Sequence, residues 1–224
     1  KHCIDFFRGD YLKQEATEDT ITPVGVEMGH GAKLAATQRN FEQGSLQNTG
    51  VSTDVAIAGE GFFRVLQYDG TYAYTRDGSF KIDADRQLVT SNGLRCLPEI
   101  IFPENYLPHT IAISQDGRVS VRVGEQDDPV EVGQIELYRF QNPVGLSAQG
   151  SNLFRQTPAS GQAIAGRPGF NGFGKTEHKF LEMSNVSTVS EMVNMIVAQR
   201  AYEFNSKAIQ TSDNMLGTAV GLKR

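Results

Sequence analysis

The most restrictive feature of the sequence is its last long segment, which contains neither Pro nor Gly between Ser187 and Leu216. Because Gly and Pro are the residues that disfavour a helix most, the segment predicts one helix of about 45 Å at a rise of ~1.5 Å per residue. Thr188 and Glu191 have the S/T-x-x-E spacing of a capping box and favour a helix start at this point. Any fold of this chain must therefore accommodate one very long helix.

The apolar residues of this helix fall on two sides of a wheel drawn at roughly 100° per residue. One face carries Val189, Val193, Ile196, Phe204 and Met215. A second ridge repeats every seven residues and consists of Met195, Tyr202, Ile209 and Leu216. A helix that docks on its own domain needs only one apolar stripe. The second ridge predicts that the helix forms a contact surface between subunits.

The amount of apolar surface supports this interpretation. About eight large side chains at roughly 1.5–3 kcal/mol each amount to some 10–20 kcal/mol of burial, which is comparable with the stability of a whole domain. An ordinary core helix docked on the rest of the chain remains an alternative. However, the helix is longer than a sheet of strands of about 5–6 residues readily covers, so we expect copies of the same protein to cover it.

Residues 46–140 predict an antiparallel β domain, either a sandwich or a partly closed barrel. Short runs of β-forming residues are separated by turn dipeptides, in which Gly accepts a positive φ without a steric penalty. These dipeptides are Asp69-Gly70, Asp77-Gly78, Asn92-Gly93 and Asp116-Gly117. Residues 83–87 predict a further hairpin turn, and 130–140 a last long strand. The predicted fold class is therefore mainly β with a long C-terminal α-helix and extended arms.

The sequence offers little that indicates catalysis or ligand binding. Residues 169–176 match the spelling of a phosphate-binding loop, but no apolar strand precedes them and no helix signal begins at Lys175. The four histidines lack metal-ligand spacing, and Cys3 and Cys96 fit two free thiols. We therefore predict no catalytic, cofactor-binding or metal site.

Charge and hydropathy argue against two further classes of protein, nucleic-acid-binding proteins and membrane-inserted proteins. The net charge is −5 and Lys and Arg do not cluster, which argues against a nucleic-acid partner. No apolar run approaches the roughly 20 residues of a membrane-spanning helix, so we predict no membrane insertion. The chain opens without Met and without a signal-peptide pattern, so we expect a missing N-terminal segment.

Several motifs resemble those of the bacterial flagellar rod and hook proteins. The C-terminal signature of that family is similar to Ser184–Val186, Glu191–Ile196 and Gln199–Lys207. Residues 43–65 resemble its second signature, and 73–93 continue the match. The resemblance covers residues 22–222 and is strongest for the distal-rod members, because residues 11–38 resemble their extended segment.

This resemblance implies a non-enzymatic structural subunit that polymerises helically into the flagellar drive shaft. In such a subunit 1–45 and 141–186 form the two arms of a joining region, 46–140 the outer β domain, and 187–224 the assembly helix, while the family's N-terminal helix is absent from this sequence. The implied partners are copies of itself, neighbouring rod and hook proteins, and the bushing of the L and P rings. The implied location is the basal body, where the rod spans the periplasm after export through the flagellar secretion channel.

Other functions remain open at this point. The chain resembles proximal rod and hook proteins as well, so another axial protein is one alternative. A monomeric β-domain binding module is a second. An enzyme or nucleotide switch is a third, which depends on the 169–176 match alone.

Overall fold

The computed structural model describes residues 11–12, 28–29, 38–124 and 128–221. The chain is mainly β, with antiparallel sheets and one long C-terminal helix, as the sequence predicts. The strands are β1 (Tyr11–Leu12), β2 (Met28–Gly29), β3 (Leu46–Asn48), β4 (Val55–Ala58), β5 (Phe63–Leu66), β6 (Tyr72–Thr75), β7 (Phe80–Ile82), β8 (Leu88–Thr90), β9 (Arg95–Leu97), β10 (Ala112–Ile113), β11 (Arg118–Val121), β12 (Val130–Gln134), β13 (Leu137–Arg139), β14 (Ser147–Gly150), β15 (Leu153–Arg155), β16 (Ile164–Gly166), β17 (Lys175–His178) and β18 (Phe180–Glu182). The helix is α1 (Thr188–Gly221), and two short 3₁₀ turns span Pro108–Thr110 and Pro143–Gly145.

The strands between β3 and β18 form what we call the β body. Its largest sheet has seven strands in the order β14-β15-β6-β5-β9-β8-β7. A three-stranded sheet, β10-β11-β12, and the pairs β13–β16 and β17–β4 complete it, and β3 pairs with β18 at its edge. Separately, β1 pairs with β2, in the register Tyr11↔Gly29. The rest of the predicted N-terminal arm before residue 38 lies outside the described residues.

Three of the four turn dipeptides connect hairpins as predicted. Asp69-Gly70 joins β5 to β6, Asn92-Gly93 joins β8 to β9, and Asp116-Gly117 joins β10 to β11. Their glycines have φ values of 77°, 78° and 84°, a region that favours Gly because it has no Cβ. Residues 83–87 also form the predicted turn, between β7 and β8.

The fourth dipeptide, Asp77-Gly78, is not a hairpin turn. It follows β6, which pairs with β5 and β15, and precedes β7, which pairs with β8. Gly78 is required for a different reason, since a Cβ there would lie 1.6 Å from the carbonyl oxygen of Val55. The prediction was wrong here because the same residue type also serves a close approach of two backbone segments.

The predicted long strand over 130–140 consists of two strands in different sheets. β12 pairs with β11, whereas β13 pairs with β16. Between them lies Ile135, which is fully buried and whose N–H donates to the carbonyl of Gly117 at 2.7 Å. The apolar pattern continues through this point because both strands face the same interior, although their partners change.

Residues 141–186, expected to form the second arm of a joining region, contain β14 to β18. β15 adds to the large sheet through β6, and β17 pairs with β4 over four residues. The strands β14 and β17 have the sequences SAQG and KTEH, in which the apolar alternation that identifies a strand is absent. β14 pairs with the following strand, β15, whereas β17 pairs with β4, which is distant in the sequence.

The interior of the β body is built from two main clusters. The larger contains fully buried side chains from the large sheet and from β11 and its neighbours, among them Phe63, Phe80, Ile100 and Val121. The second is aromatic and consists of Phe62, Tyr74, Tyr138, Phe140 and Leu146, with Phe41 and Phe154 packed against it. By contrast, α1 has no buried residue. None of the helices in the described part of the chain combines the length and apolar character that crossing a membrane requires.

Candidate assembly surface

The chain enters and leaves the β body through one antiparallel pair, β3 with β18, which we call the stem. Arg76 fixes the stem to the body. Its Nε donates to Glu182 at 2.8 Å and its Nη1 donates to the carbonyls of Gly59 and Gly61, each at 3.1 Å. Glu182 in turn accepts the N–H of Gly44 at 2.9 Å. The two charged side chains are only 16% and 11% exposed, so the stem is held by a well-satisfied and largely desolvated ion pair.

Asn185 continues this attachment one step towards the helix. Its Nδ2 donates to the carbonyl of Glu42 at 2.9 Å and to that of Asn40 at 3.3 Å. Met183 is fixed as well, because its N–H donates to Ser45 at 2.9 Å. Hydrogen bonds therefore connect the segment that enters the β body with the segment that leaves it, as far as Asn185. This residue lies two positions before the N-cap of α1.

The first turn of α1 differs from the prediction by one residue. The hydroxyl of Ser187 accepts the N–H of Ser190 at 3.4 Å, which is the N-cap to N3 contact. Thr188, predicted as the cap together with Glu191, is instead the first residue of the helix. Glu191 lies in the first turn, where a carboxylate interacts favourably with the helix dipole.

The nine residues predicted to form the subunit interface all lie on α1 and are all exposed. Their exposed fractions range from 52% for Ile196 to 80% for Phe204. The nine are Val189, Val193, Met195, Ile196, Tyr202, Phe204, Ile209, Met215 and Leu216. Met192, Val197 and Val220 share this exposure, although they were not predicted. Their spacing of one to four residues from predicted members was the signal that could have included them.

The solvent exposure of so many apolar side chains on α1 is unusual. Large aliphatic and aromatic side chains are normally buried, and singly exposed ones are unremarkable, whereas a continuous exposed patch indicates an interaction surface. The described residues of the β body do not cover α1. The helix is therefore the candidate functional site of the molecule, and the stem determines how it is joined to the body.

The segment that resembles a phosphate-binding loop has another role. Lys175 is the first residue of β17, so a strand stands where such a loop requires a helix. Thr176 is 1% exposed, and its Oγ1 donates to the carbonyl of Ser114 at 2.7 Å. Both residues belong to the packing of β17 against β4 and the β10–β11 turn.

The perturbed titratable groups of the described residues also have structural causes. Burial raises the pKa of Cys96 to about 12 and raises the pKa of Tyr74 and Tyr138. Hydrogen bonds from Thr71 and Ser114 lower the pKa of Asp69 and Asp116, respectively. Within the described residues, no three His, Cys, Asp or Glu side chains are grouped so that they could hold a metal ion.

The described chain therefore combines a packed β body with a long helix whose apolar side chains are exposed. Two family models match the sequence: the flagellar hook protein FlgE/F/G D1 domain over residues 56–121, and the flagellar basal body rod FlgEFG protein C-terminal domain over 177–222. The first covers much of the β body, and the second covers the second half of β17 together with β18 and α1.

Comparison with three curated relatives distinguishes between the rod and hook members of this class of proteins. The flagellar basal-body rod protein FlgG of Borreliella burgdorferi is 63% identical over 93% of this chain and 79% of its own length. FlgG of Buchnera aphidicola is 46% identical over 90% of this chain and 77% of its own length. The flagellar hook protein FlgE of Salmonella typhimurium matches only 50% of this chain and 27% of its own length, at 44% identity.

The chain belongs to the FlgG family of flagellar basal-body rod proteins. It is a structural subunit of the distal rod in the flagellar basal body, and the short match to the hook protein does not favour the hook alternative.

Proposed function

We propose that the subunit polymerises helically through α1, whose two apolar sides are covered by helices of neighbouring copies. The observation that carries this proposal is the exposure of all nine predicted interface residues in the isolated chain. Burying about eight of them at roughly 1.5–3 kcal/mol each provides some 10–20 kcal/mol for association. That is ample to offset the translational and rotational freedom lost on assembly, which costs an estimated 4–15 kcal/mol.

The proposed role is mechanical rather than catalytic. Torque passes as shear between packed helices and reaches the β body through the stem. The Arg76–Glu182 pair and the Asn185 hydrogen bonds support this part of the proposal, because they tie both chains of the stem to each other and to the body. In this arrangement the stem and its flanking arms form the joining region, and the β body is the outer domain of the rod.

The proposal extends to partners and location. The distal rod spans the periplasm after export through the flagellar secretion channel, contacts neighbouring rod and hook proteins at its ends, and turns inside the L and P rings. We further propose that residues 11–38 lie against neighbouring subunits and stiffen the rod. Deleting this segment should shorten rods or make them flexible, as seen in electron micrographs of isolated basal bodies.

Charge substitutions on α1 test polymerisation directly. Ile196→Asp and Phe204→Asp should each abolish rod assembly, because burying an unpaired carboxylate costs several kcal/mol. Asn205→Asp is the matched control, since it adds the same charge at a polar and exposed position of the same helix. The measurement is the yield of rods in basal bodies from cells in which the variant is the sole copy.

The folding of the β body provides the necessary second readout. Its thermal unfolding should be the same in all three variants, because neither Ile196 nor Phe204 is buried in the isolated chain. Rods of normal length from Ile196→Asp and Phe204→Asp would refute polymerisation through α1. Loss of rods with an unfolded body would also count against it, since the effect would then have a different cause.

A further inference from the structure

We propose that the β bodies of adjacent copies also contact each other head to tail. The contact joins the Phe170 loop, residues 167–175, of one copy to the acidic patch of the next, formed by Asp83, Asp85, Glu99, Ile101 and Glu104. This inference rests on the proposed polymer, because only a polymer places copies side by side. The head-to-tail contact involves the β body and not α1, so an experiment can refute it without refuting polymerisation through α1.

The Phe170 loop presents an aromatic side chain on a fixed backbone. Phe173 donates its N–H to the carbonyl of Phe170 at 2.9 Å, and Gly169 donates to Gly174 at 2.9 Å. Between them, Asn171 and Gly172 have φ values of 52° and 80°, the geometry of a tight type I′ turn. The backbone of such a turn loses little conformational freedom on binding, which favours affinity.

The two phenylalanines of this loop have opposite environments. Phe173 is 8% exposed and lies under the guanidinium of Arg139, at 5.3 Å from ring centroid to Cζ. Phe170 is 60% exposed. The fold therefore uses Phe173 as an anchor and directs Phe170 outwards. Exposed aromatic residues of this kind are enriched among the residues that dominate protein interfaces.

The acidic patch combines carboxylates with one exposed apolar residue. The β7–β8 turn supplies Asp83 and Asp85, and it lies beside the 99–104 segment because Phe102 donates its N–H to Arg86 at 2.9 Å. Ile101 is 51% exposed. Among the described contacts, Glu104 is paired with Arg86 at 3.2 Å, whereas neither Asp85 nor Glu99 is in an ion pair.

The charges identify the occupant of the patch as a second copy. Arg167 and Lys175 flank Phe170, are exposed, and form no ion pair with any described residue. The carboxylates around Ile101 carry the complementary charge. Complementary potentials of this kind fix the register of an interface and disfavour like surfaces. Each copy thus carries both halves of the contact.

The two halves lie at opposite ends of β11. At one end Gly117 packs against Pro168, since a Cβ on Gly117 would lie 2.8 Å from Pro168 Cγ. At the other end Val123 pairs with Tyr106, two residues beyond Glu104. The six residue steps from Gly117 to Val123 include β11 and separate the two ends by about 20 Å at ~3.3 Å per residue. Different surfaces at opposite ends produce a head-to-tail contact, and such contacts generate open helical polymers.

Chemical cross-linking within assembled rods tests the contact. In a Cys3→Ser background, Phe170→Cys combined with Ile101→Cys should give a ladder of linked subunits when basal bodies are treated with a short bis-maleimide. Each single variant should give none. Cys96 does not interfere, because it is 2% exposed. Tyr68→Cys with Ile101→Cys is the matched control, since Tyr68 is highly exposed but lies in the β5–β6 turn.

The outcomes separate this contact from polymerisation through α1. Rods of normal length without a ladder from the Phe170–Ile101 pair, or with an equal ladder from the control pair, would overturn the head-to-tail contact and leave the helix proposal intact. Normal rods from Ile196→Asp would instead overturn the helix proposal, whatever the ladder shows.

Charge reversal gives a second, genetic test. Lys175→Glu and Asp85→Lys should each reduce the number of complete rods, and the two together should restore it, because the reversed pair is again complementary. Both positions are exposed, so thermal unfolding of the β body should not change. A double variant that assembles no better than the single ones would contradict the proposed pairing.

Discussion

The β body and α1 use the same kinds of residue in opposite ways. In the body Phe63, Phe80 and Phe102 are at most 1% exposed, whereas Phe204 on the helix is 80% exposed. These core phenylalanines pack within the chain, as in the edge-to-face contact of Phe63 with Phe80 at 5.1 Å. The difference supports the proposal that neighbouring copies cover the helix, since its apolar side chains are exposed in the single chain.

The connection between the β body and α1 shows the same difference in burial. Every contact of the stem described above ends at Asn185, and α1 continues without a buried residue. The core of the body is therefore packed within one chain, whereas the apolar side chains of α1 are exposed.

The largest expected effect comes from removing the same aromatic ring in each region. Phe80→Ala should lower the free energy of unfolding by about 3–5 kcal/mol, because it leaves a cavity in the core. Phe204→Ala should change it by no more than about 0.5 kcal/mol, because its ring is already in water. Urea unfolding of the unassembled subunit, followed by tyrosine fluorescence, measures both.

Equal losses in the free energy of unfolding for Phe80→Ala and Phe204→Ala would contradict the difference between the β body and α1. A large loss of stability for Phe204→Ala in the unassembled subunit would mean that α1 packs on its own body in solution. In that case the second apolar ridge would need an explanation other than neighbouring copies.

The sequence predicted the parts of this fold that depend on local patterns. The helix follows from the absence of Pro and Gly between Ser187 and Leu216, and three hairpins follow from glycines that need a positive φ. The role of Gly78 could not be predicted, because the carbonyl that excludes a side chain there belongs to Val55, on another strand. The break near Ile135 likewise depends on which strands pair with β12 and β13.

The candidate site likewise has one part that local sequence patterns predict and one part that depends on tertiary contacts. Its apolar residues could be identified from their spacing along a helix, which is a local property. The stem could not, since Arg76 and Glu182 are more than a hundred residues apart and no pattern links them. β14 and β17 were missed because their residues are mainly polar and lack the alternation that identifies a strand.

An intermediate effect should distinguish the ion pair of the stem from one on the surface. Arg76→Met removes a partner of the largely buried Glu182 and should cost about 3 kcal/mol, because an uncompensated charge remains. Arg86→Met breaks the exposed pair with Glu104 and should cost less than about 1 kcal/mol. Urea unfolding compares the two. Equal costs would show that the stem is not fixed by its ion pair and would weaken its proposed part in carrying torque.

The smallest expected effect uses a thiol to compare the two regions. Burial raises the pKa of Cys96 to about 12 from its ordinary value of 9.0, so at pH 10 the thiol is protonated in the folded chain and ionised in the unfolded one. The unfolded state then binds fewer protons, and the free energy of unfolding must fall as the pH rises above 9. Between pH 8 and pH 10 this contribution should reach about 1 kcal/mol, since one pKa unit corresponds to ~1.4 kcal/mol.

Two variants isolate that contribution, because the tyrosines of the body titrate equally in all of them. Cys96→Ala should show a smaller decline between pH 8 and pH 10 than the parent chain. Adding Ala198→Cys to it returns a thiol to the molecule, but on the exposed helix, where folding does not change its solvation. The decline should therefore stay small in this double variant. If the helix thiol restored the full decline in the unassembled subunit, α1 would have to be buried there, and the contrast between a closed body and an open helix would not hold.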